Sequence, residues 1–178
     1  GDFVPIGRKR AIISLALNSL YENASKKVDV VALPDGAPFG TVNVDVNGCT
    51  LCLSCVGACP TGALKANNDK PQLSFSEMAC VQCGLCKNTC PEKVVTLRPQ
   101  LNFMDEARSA RILKEEVPFK CVKCGTPFGT SSTIEKMLGK LEGHPMFSDE
   151  RAMNRLKMCD NCRVISLTEE TINPMAVG

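Results

Sequence analysis

The chain has no tryptophan and a single tyrosine, and aromatic residues make up only 4% of its 178 positions. A large core built on aromatic rings is therefore excluded. No apolar run approaches the ~20 residues of a membrane-spanning helix; the longest extends only from Ala11 to Leu17. Neither sign of charge dominates: 21 basic and 19 acidic residues are mixed along the chain, for a net charge of +2. That balance provides no basic field for nucleic acid and no acidic field for steering toward a basic partner. There is no hydrophobic signal segment, no Gly-rich phosphate loop, no flavin or nicotinamide fingerprint and no nucleophile–base pair. Bond chemistry on a substrate is not expected of these residues, and no catalytic residue is assigned.

What the chain does have is cysteine, at 12 positions. Eight of them form two copies of one pattern. Cys49-Thr-Leu-Cys52-Leu-Ser-Cys55-Val-Gly-Ala-Cys59-Pro60 and Cys80-Val-Gln-Cys83-Gly-Leu-Cys86-Lys-Asn-Thr-Cys90-Pro91 both read C-x2-C-x2-C-x3-C-P, in register 31 positions apart. This run is an iron–sulfur signature. A [4Fe–4S] cube needs four thiolates. Three cysteines spaced by two residues can wrap three of its irons, while loop N–H groups turn toward the sulfurs. Proline after the fourth cysteine fixes the chain direction. Zinc favours isolated C-x2-C pairs over such triple runs. Disulfides are disfavoured by the grouping, and thiolates that hold iron or zinc need a reducing compartment. A cytoplasmic location is the expectation.

The stretch resembles the bacterial-type two-cluster ferredoxins, down to Cys59-Pro60-Thr61-Gly62-Ala63-Leu64. The resemblance covers about a third of the chain. It implies an α+β, ferredoxin-like pseudo-twofold fold of two β-hairpins and two short helices. It also implies crossed ligation: Cys49, Cys52, Cys55 and Cys90 on one cube, and Cys80, Cys83, Cys86 and Cys59 on the other. The unit departs from many free-standing ferredoxins in being nearly neutral rather than acidic, which fits a module docked within a larger polypeptide or complex.

Five regions are expected along the chain. Residues 1–40 read as a helix (Ile13, Leu17, Leu20 and Tyr21 at helical spacing) and a linker, the tail of an upstream domain; the strand-like Val28–Leu33 has no evident partner. Arg8, Lys9 and Arg10 read as a solvated face. The start at Gly1 rather than methionine reads as a piece of a longer protein. Residues 41–100 form the two-cluster domain, with alternating strands at Thr41–Val46 and Gln72–Ser76. Residues 101–120 contain a connecting helix at 104–116, rich in Arg, Lys and Glu. Residues 121–165 read as a small, α-rich metal-binding region, a helical hairpin flanked by Cys121/Cys124 and Cys159/Cys162, with a capping box at Ser132 and Glu135. Residues 166–178 read as a tail.

Four sulfurs in tetrahedral array suit one structural zinc, with mononuclear iron, a two-iron cluster or a third cube as alternatives. The lone histidine, His144, lies in a turn and is not needed by such a site. The expected function is an electron-transfer module that passes single electrons through two [4Fe–4S] clusters to or from a redox enzyme. A variant makes it the wiring domain of a multidomain oxidoreductase whose catalytic centre lies outside this chain. A third reading, an iron–sulfur/zinc regulatory or nucleic-acid-binding protein, is disfavoured by the mixed charge.

Overall fold

The computed structural model describes residues 9–172. In chain order the elements are α1 (Lys9–Glu22), β1 (Val30–Ala32), β2 (Gly40–Val44), α2 (Ser54–Gly57), β3 (Leu64–Ala66), β4 (Gln72–Ser76), α3 (Leu85–Thr89), β5 (Val95–Asn102), β6 (Ala110–Glu115), β7 (Pro118–Lys120), β8 (Pro127–Thr130), α4 (Ser131–Leu141), α5 (Glu150–Leu156) and α6 (Asp160–Ile172). The strands form three antiparallel sheets, ordered β1-β5-β2, β3-β4-β6 and β7-β8.

The alternation read at Thr41–Val46 and Gln72–Ser76 places Val42, Leu73 and Phe75 inward, each almost fully buried. They join Leu51, Ala63, Leu64 and Val95 in a small core that also takes in Cys80 and Cys86. Burying each large apolar side chain contributes about 1.5–3 kcal/mol. So short a set of apolar groups leaves room for a metal centre to share the work. The strand pairing crosses the repeat. β2 of the first copy pairs with β5 of the second (Val42↔Leu97, Val44↔Val95), and β3 of the first pairs with β4 of the second (Leu64↔Phe75). Neither copy can therefore complete a sheet alone.

Three sequence readings change here. Residues 104–116 do not form a helix: one 3-10 turn at Asp105–Ala107 leads into strand β6. Arg, Lys and Glu favour helix locally, but the free edge of β4 pairs with this segment from Ser76↔Ala110 to Gln72↔Glu115, with a bulge at Leu73/Ser74. The strand-like segment at 28–33 does have a partner: β1 pairs with β5, Val31 opposite Leu101. Tyr21 of α1 stacks on Phe103 at 4.4 Å and donates to Asp29 at 2.5 Å, fastening the helix beside that strand. Finally, the region at 121–165 is not a plain helical hairpin. Its first cysteine pair sits on the β7–β8 hairpin, and the expected tail is helical through Ile172 as part of α6. Residues 1–8 and 173–178, including the end of that tail, lie outside the described residues.

The two helices between the cysteine pairs are present. The N-cap of α4 is Thr130, accepting from the Thr133 N–H, rather than Ser132. Asp149 caps α5 by accepting from the Arg151 N–H.

Candidate iron–sulfur and thiolate metal sites

The cysteine loops share a backbone conformation that L-residues rarely adopt. Leu51 and Gln82, which follow the first cysteine of each run by two positions, have φ of 52° and 54°. Leu53 and Gly84 have φ of 59° and 80°, and Gly62 and Lys93 have φ of 65° and 56°. Every pair is separated by the 31-residue offset of the cysteine runs. Left-handed residues in alternation curl a loop so that successive N–H groups point inward. The sulfurs receive those groups: Cys49 from Leu51, Cys52 from Ser54, Cys59 from Thr61, Ala63 and Leu64, Cys80 from Gln82, and Cys86 from Lys87.

The sulfur-bearing side chains gather in two pockets. Cys49, Cys52, Cys55 and Cys90 line one of about 360 Å³, walled by Val44, Leu51, Leu53, Leu73, Val94 and Val95. Cys59, Cys80, Cys83 and Cys86 line another of about 310 Å³, walled by Val42, Leu64, Phe75, Val81 and Leu97. Each pocket draws three cysteines from one run and the fourth from the other. Cys52 and Cys83 are the exposed members. α2 packs against α3 between the pockets, and Cys55 and Cys86 on these helices sense each other's charge.

Burial pushes the Cys55 thiol up to about 11, helped by the neighbouring Cys49 and Cys52. Burial would also raise Cys52 and Cys59, but hydrogen bonds from Ser54 and Thr50, and from Leu64 and Thr61, outweigh it and hold both below the ordinary thiol range. An apolar wall with inward N–H donors suits a bound anionic cluster: donors reach Cys49 and Cys52 in one pocket and Cys59, Cys80 and Cys86 in the other, and water is kept from the buried side.

The other four cysteines make a different object. The sulfurs of Cys121, Cys124, Cys159 and Cys162 all lie within 4.8 Å of one another, and those of Cys124 and Cys159 are 3.6 Å apart. A tetrahedron of thiolates at the zinc–sulfur distance of ~2.3 Å has edges of about 3.8 Å, so the group has the size of a single-ion site. Among the described residues it is the only such group of three or more His, Cys, Asp or Glu side chains. Cys121 and Cys124 sit on the β7–β8 turn, closed by Gly125 N–H donating to the Cys121 carbonyl at 2.8 Å, with Gly125 at φ 73°. Cys159 precedes α6 and Cys162 lies in its first turn. Val122 N–H donates to the Lys157 carbonyl at 3.1 Å and joins the two knuckles. Backbone N–H groups of Cys159, Cys124 and Lys123 overcome burial and bring Cys121 down to about 6, whereas Cys162, surrounded by the other thiols, is pushed up to about 12. His144 is apart from this group; its Nδ1 accepts from Met146 N–H.

Several residues that hold these sites were not singled out by sequence. Lys114, almost buried in β6, donates to the carbonyls of Val46 (2.9 Å) and Cys49 and pairs with Glu116 at 2.6 Å. Thr130 and Thr133 both donate to the Thr50 carbonyl inside the first cysteine loop, at 3.0 and 2.6 Å. Arg10 is not on a solvated face. Its guanidinium donates to the carbonyls of Cys80 (2.6 Å), Met78 (3.2 Å) and Pro38, and lies 3.8 Å from the centre of the Phe39 ring. Only at 82 did the repeat carry a signal, since a polar Gln82 stands where the first copy has Leu51.

Comparison with known proteins is consistent with this geometry. Residues 48–95 match the family model of the 4Fe-4S dicluster domain. The chain is similar to the polyferredoxin protein MvhB of Methanothermobacter marburgensis, at 35% identity over 79 residues, covering 38% of this chain and 18% of that protein. It is similar to the pyruvate synthase subunit PorD of Thermotoga maritima, at 33% identity over 58 residues, covering 33% of this chain and 58% of the relative. A third relative is the polyferredoxin-like subunit of an aliphatic sulfonate oxidoreductase from Pyrococcus furiosus, 38% identical over 58 residues, covering 32% of this chain and 33% of the subunit. The chain thus spans between about a fifth and three-fifths of the length of these relatives.

Proposed function

With a 4Fe–4S ferredoxin domain at residues 48–95 as the starting point, we propose that the chain is an electron-transfer module carrying two [4Fe–4S] clusters, and that it serves as the wiring part of a larger oxidoreductase. The observation that carries this reading is the pair of adjacent pockets, each lined by four cysteines, three from one run and one from the other. Cys49, Cys52, Cys55 and Cys90 would hold one cluster, and Cys80, Cys83, Cys86 and Cys59 the other. A bound cluster supplies a one-electron change at nearly fixed geometry. The chain's own residues orient the sulfurs, aim N–H groups at them and exclude water with Leu51, Leu73, Phe75 and Leu97.

The shared backbone offset and the crossed strand pairs support a pseudo-twofold arrangement of the cluster domain over residues 41–100. Two of the relatives are subunits, one of a pyruvate synthase and one of an aliphatic sulfonate oxidoreductase, and this supports a redox enzyme as the partner. Cys121, Cys124, Cys159 and Cys162 would hold one structural zinc. Four thiolates close the coordination sphere and leave no position for catalysis. All twelve cysteines are free, in keeping with a reducing compartment such as the cytoplasm. Among the described residues no helix is long and apolar enough to cross a membrane.

Metal analysis of anaerobically purified protein tests the reading. About eight irons, eight labile sulfides and one zinc per chain are expected, with spin-coupled EPR signals on reduction. Four irons in protein reconstituted without oxygen would sink the two-cluster assignment. Twelve irons without zinc would replace the zinc site by a third cluster.

A further inference from the structure

We infer that Gln82 tunes the second cluster site, by donating to the Cys80 sulfur a side-chain hydrogen bond for which Leu51 gives the equivalent Cys49 no counterpart; the first site's side-chain donors, Ser54 and Thr50, fall on Cys52 instead. The inference rests on the two-cluster reading above and concerns the potential of the second cluster. Gln82 Nε2 lies 3.3 Å from Cys80 Sγ and 3.1 Å from the Thr41 carbonyl oxygen. Both neighbours are acceptors once Cys80 is a thiolate. Turning the amide over would set oxygen against oxygen and sulfur, so only the N–H side can face them. The Gln82 backbone N–H also reaches the Cys80 sulfur, so one residue supplies two donors to one ligand.

The amide is closely confined, with its Oε1 buried and given no hydrogen-bond partner. A Cβ on Gly40 would stand 2.6 Å from the Gln82 amide carbon and 2.8 Å from its nitrogen, and 2.3 Å from the Arg98 carbonyl oxygen. Position 40 therefore takes only glycine, because of the Arg98 carbonyl first and the amide second. The same position of the other site is occupied by Leu51, which has nearly the same φ and lines its pocket with an aliphatic side chain. Hydrogen bonds to cluster sulfurs favour the reduced, more negative state and raise the potential. The cluster at Cys59, Cys80, Cys83 and Cys86 is therefore held at a higher potential than its loop alone would set. Gln82 acts through the ligand sulfur and is a positioning residue.

The test is a redox titration of the whole chain, followed by EPR, for wild type, Gln82→Leu and Gln82→Met. Gln82→Leu copies the residue that Leu51 already places in this backbone conformation. The expected result is one midpoint potential lower by about tenfold in the reduction equilibrium, 59 mV for one electron, with the other unchanged. Gln82→Met, which keeps the side chain's length without its N–H donor, moves the same potential in the same direction and decides the matter if Gln82→Leu takes up no iron. Two unchanged potentials, or two that move together, in protein holding about eight irons would overturn the inference and leave the two-cluster reading standing. A wild-type chain without two clusters would overturn that reading and this one with it.

Discussion

Eight cysteines of this chain surround two pockets, and four close on each other to within 4.8 Å. The side chain is the same; the spacing and the backbone differ. In the runs at 49–59 and 80–90, paired left-handed residues spread three sulfurs around a loop, and a fourth arrives from the opposite run. In the knuckles at 121–124 and 159–162, a glycine turn and a helix start bring each pair of sulfurs to one point. Thiolate alone does not choose between a multi-iron cluster and a single ion. What differs between the two regions is how far the turn spreads the sulfurs, and that spread is written in local turn conformation.

The two regions are not joined as the sequence suggests. A helix at 104–116 would have left them as separate modules. Strand β6 instead belongs to the cluster domain's own sheet, and the four-cysteine region is bonded to the first cysteine loop. Thr130 and Thr133 hold the Thr50 carbonyl. Glu116 pairs with Lys114, beside Cys49, and accepts from Ser132 in α4. Lys136 of α4 pairs with Glu92, which lines the first pocket. The largest expected effect follows from this seam. Structural zinc is worth about 10–16 kcal/mol to small thiolate folds, so Cys162→Ala should remove the ion and disorder residues 118–172. The first cluster should then be lost to oxygen faster than the second. Iron release that leaves both clusters as durable as in wild type would show the regions to be independent after all.

Next in size is the loss of a single cluster. Cys90→Ala should remove the cluster otherwise held by Cys49, Cys52 and Cys55, and Cys59→Ala the one held by Cys80, Cys83 and Cys86, while about one zinc stays bound in both proteins. EPR of each variant distinguishes them. Damage confined to the cluster of the mutated run would contradict the crossed arrangement.

Much of this was legible in the residues. The repeat offset located both loops and the alternations located β2 and β4, because each signal is carried within a few neighbouring positions. The four thiolates of the third site were legible as two matched pairs. Strand β6 was not, since Arg111, Lys114 and Glu115 favour helix and only the distant free edge of β4 makes them a strand. Lys114 reads as a surface lysine until its three acceptors are assembled from Val46, Cys49 and Glu116. Arg10 reads as solvated because its acceptors are carbonyls, which leave no trace in side-chain pattern.

A smaller effect is expected from the seam's hydroxyls. Thr130→Val with Thr133→Val keeps the shape and removes both donors to the buried Thr50 carbonyl. Leaving such an acceptor unpaired costs about 1–3 kcal/mol. The first cluster should become more oxygen-labile while zinc content stays at about one. Chemical denaturation and timed iron release measure both, and unaltered release of the first cluster would mean the hydroxyls serve only as the cap of α4.

Arg10 gives the smallest effect and the sharpest contrast. The four-cysteine region grips the Thr50 carbonyl in the first loop; α1, from the other end of the chain, grips the Cys80 carbonyl at the second. Each cluster loop is thus braced by a segment outside the 48–95 domain. The guanidinium is only partly buried, so after Arg10→Ala water can reach some of the freed carbonyls. The loss should then be about 1–2 kcal/mol, below the full value for a bond to a charged donor. Arg10→Lys keeps the charge but not the planar fork that spans three carbonyls, and should recover only part of it. The oxygen lability of Arg10→Ala should fall on the second cluster and spare the first, the mirror of the threonine pair. If both variants weakened the same cluster, the two braces would not be assigned to separate sites, and the N-terminal helix would be supporting the domain as a whole.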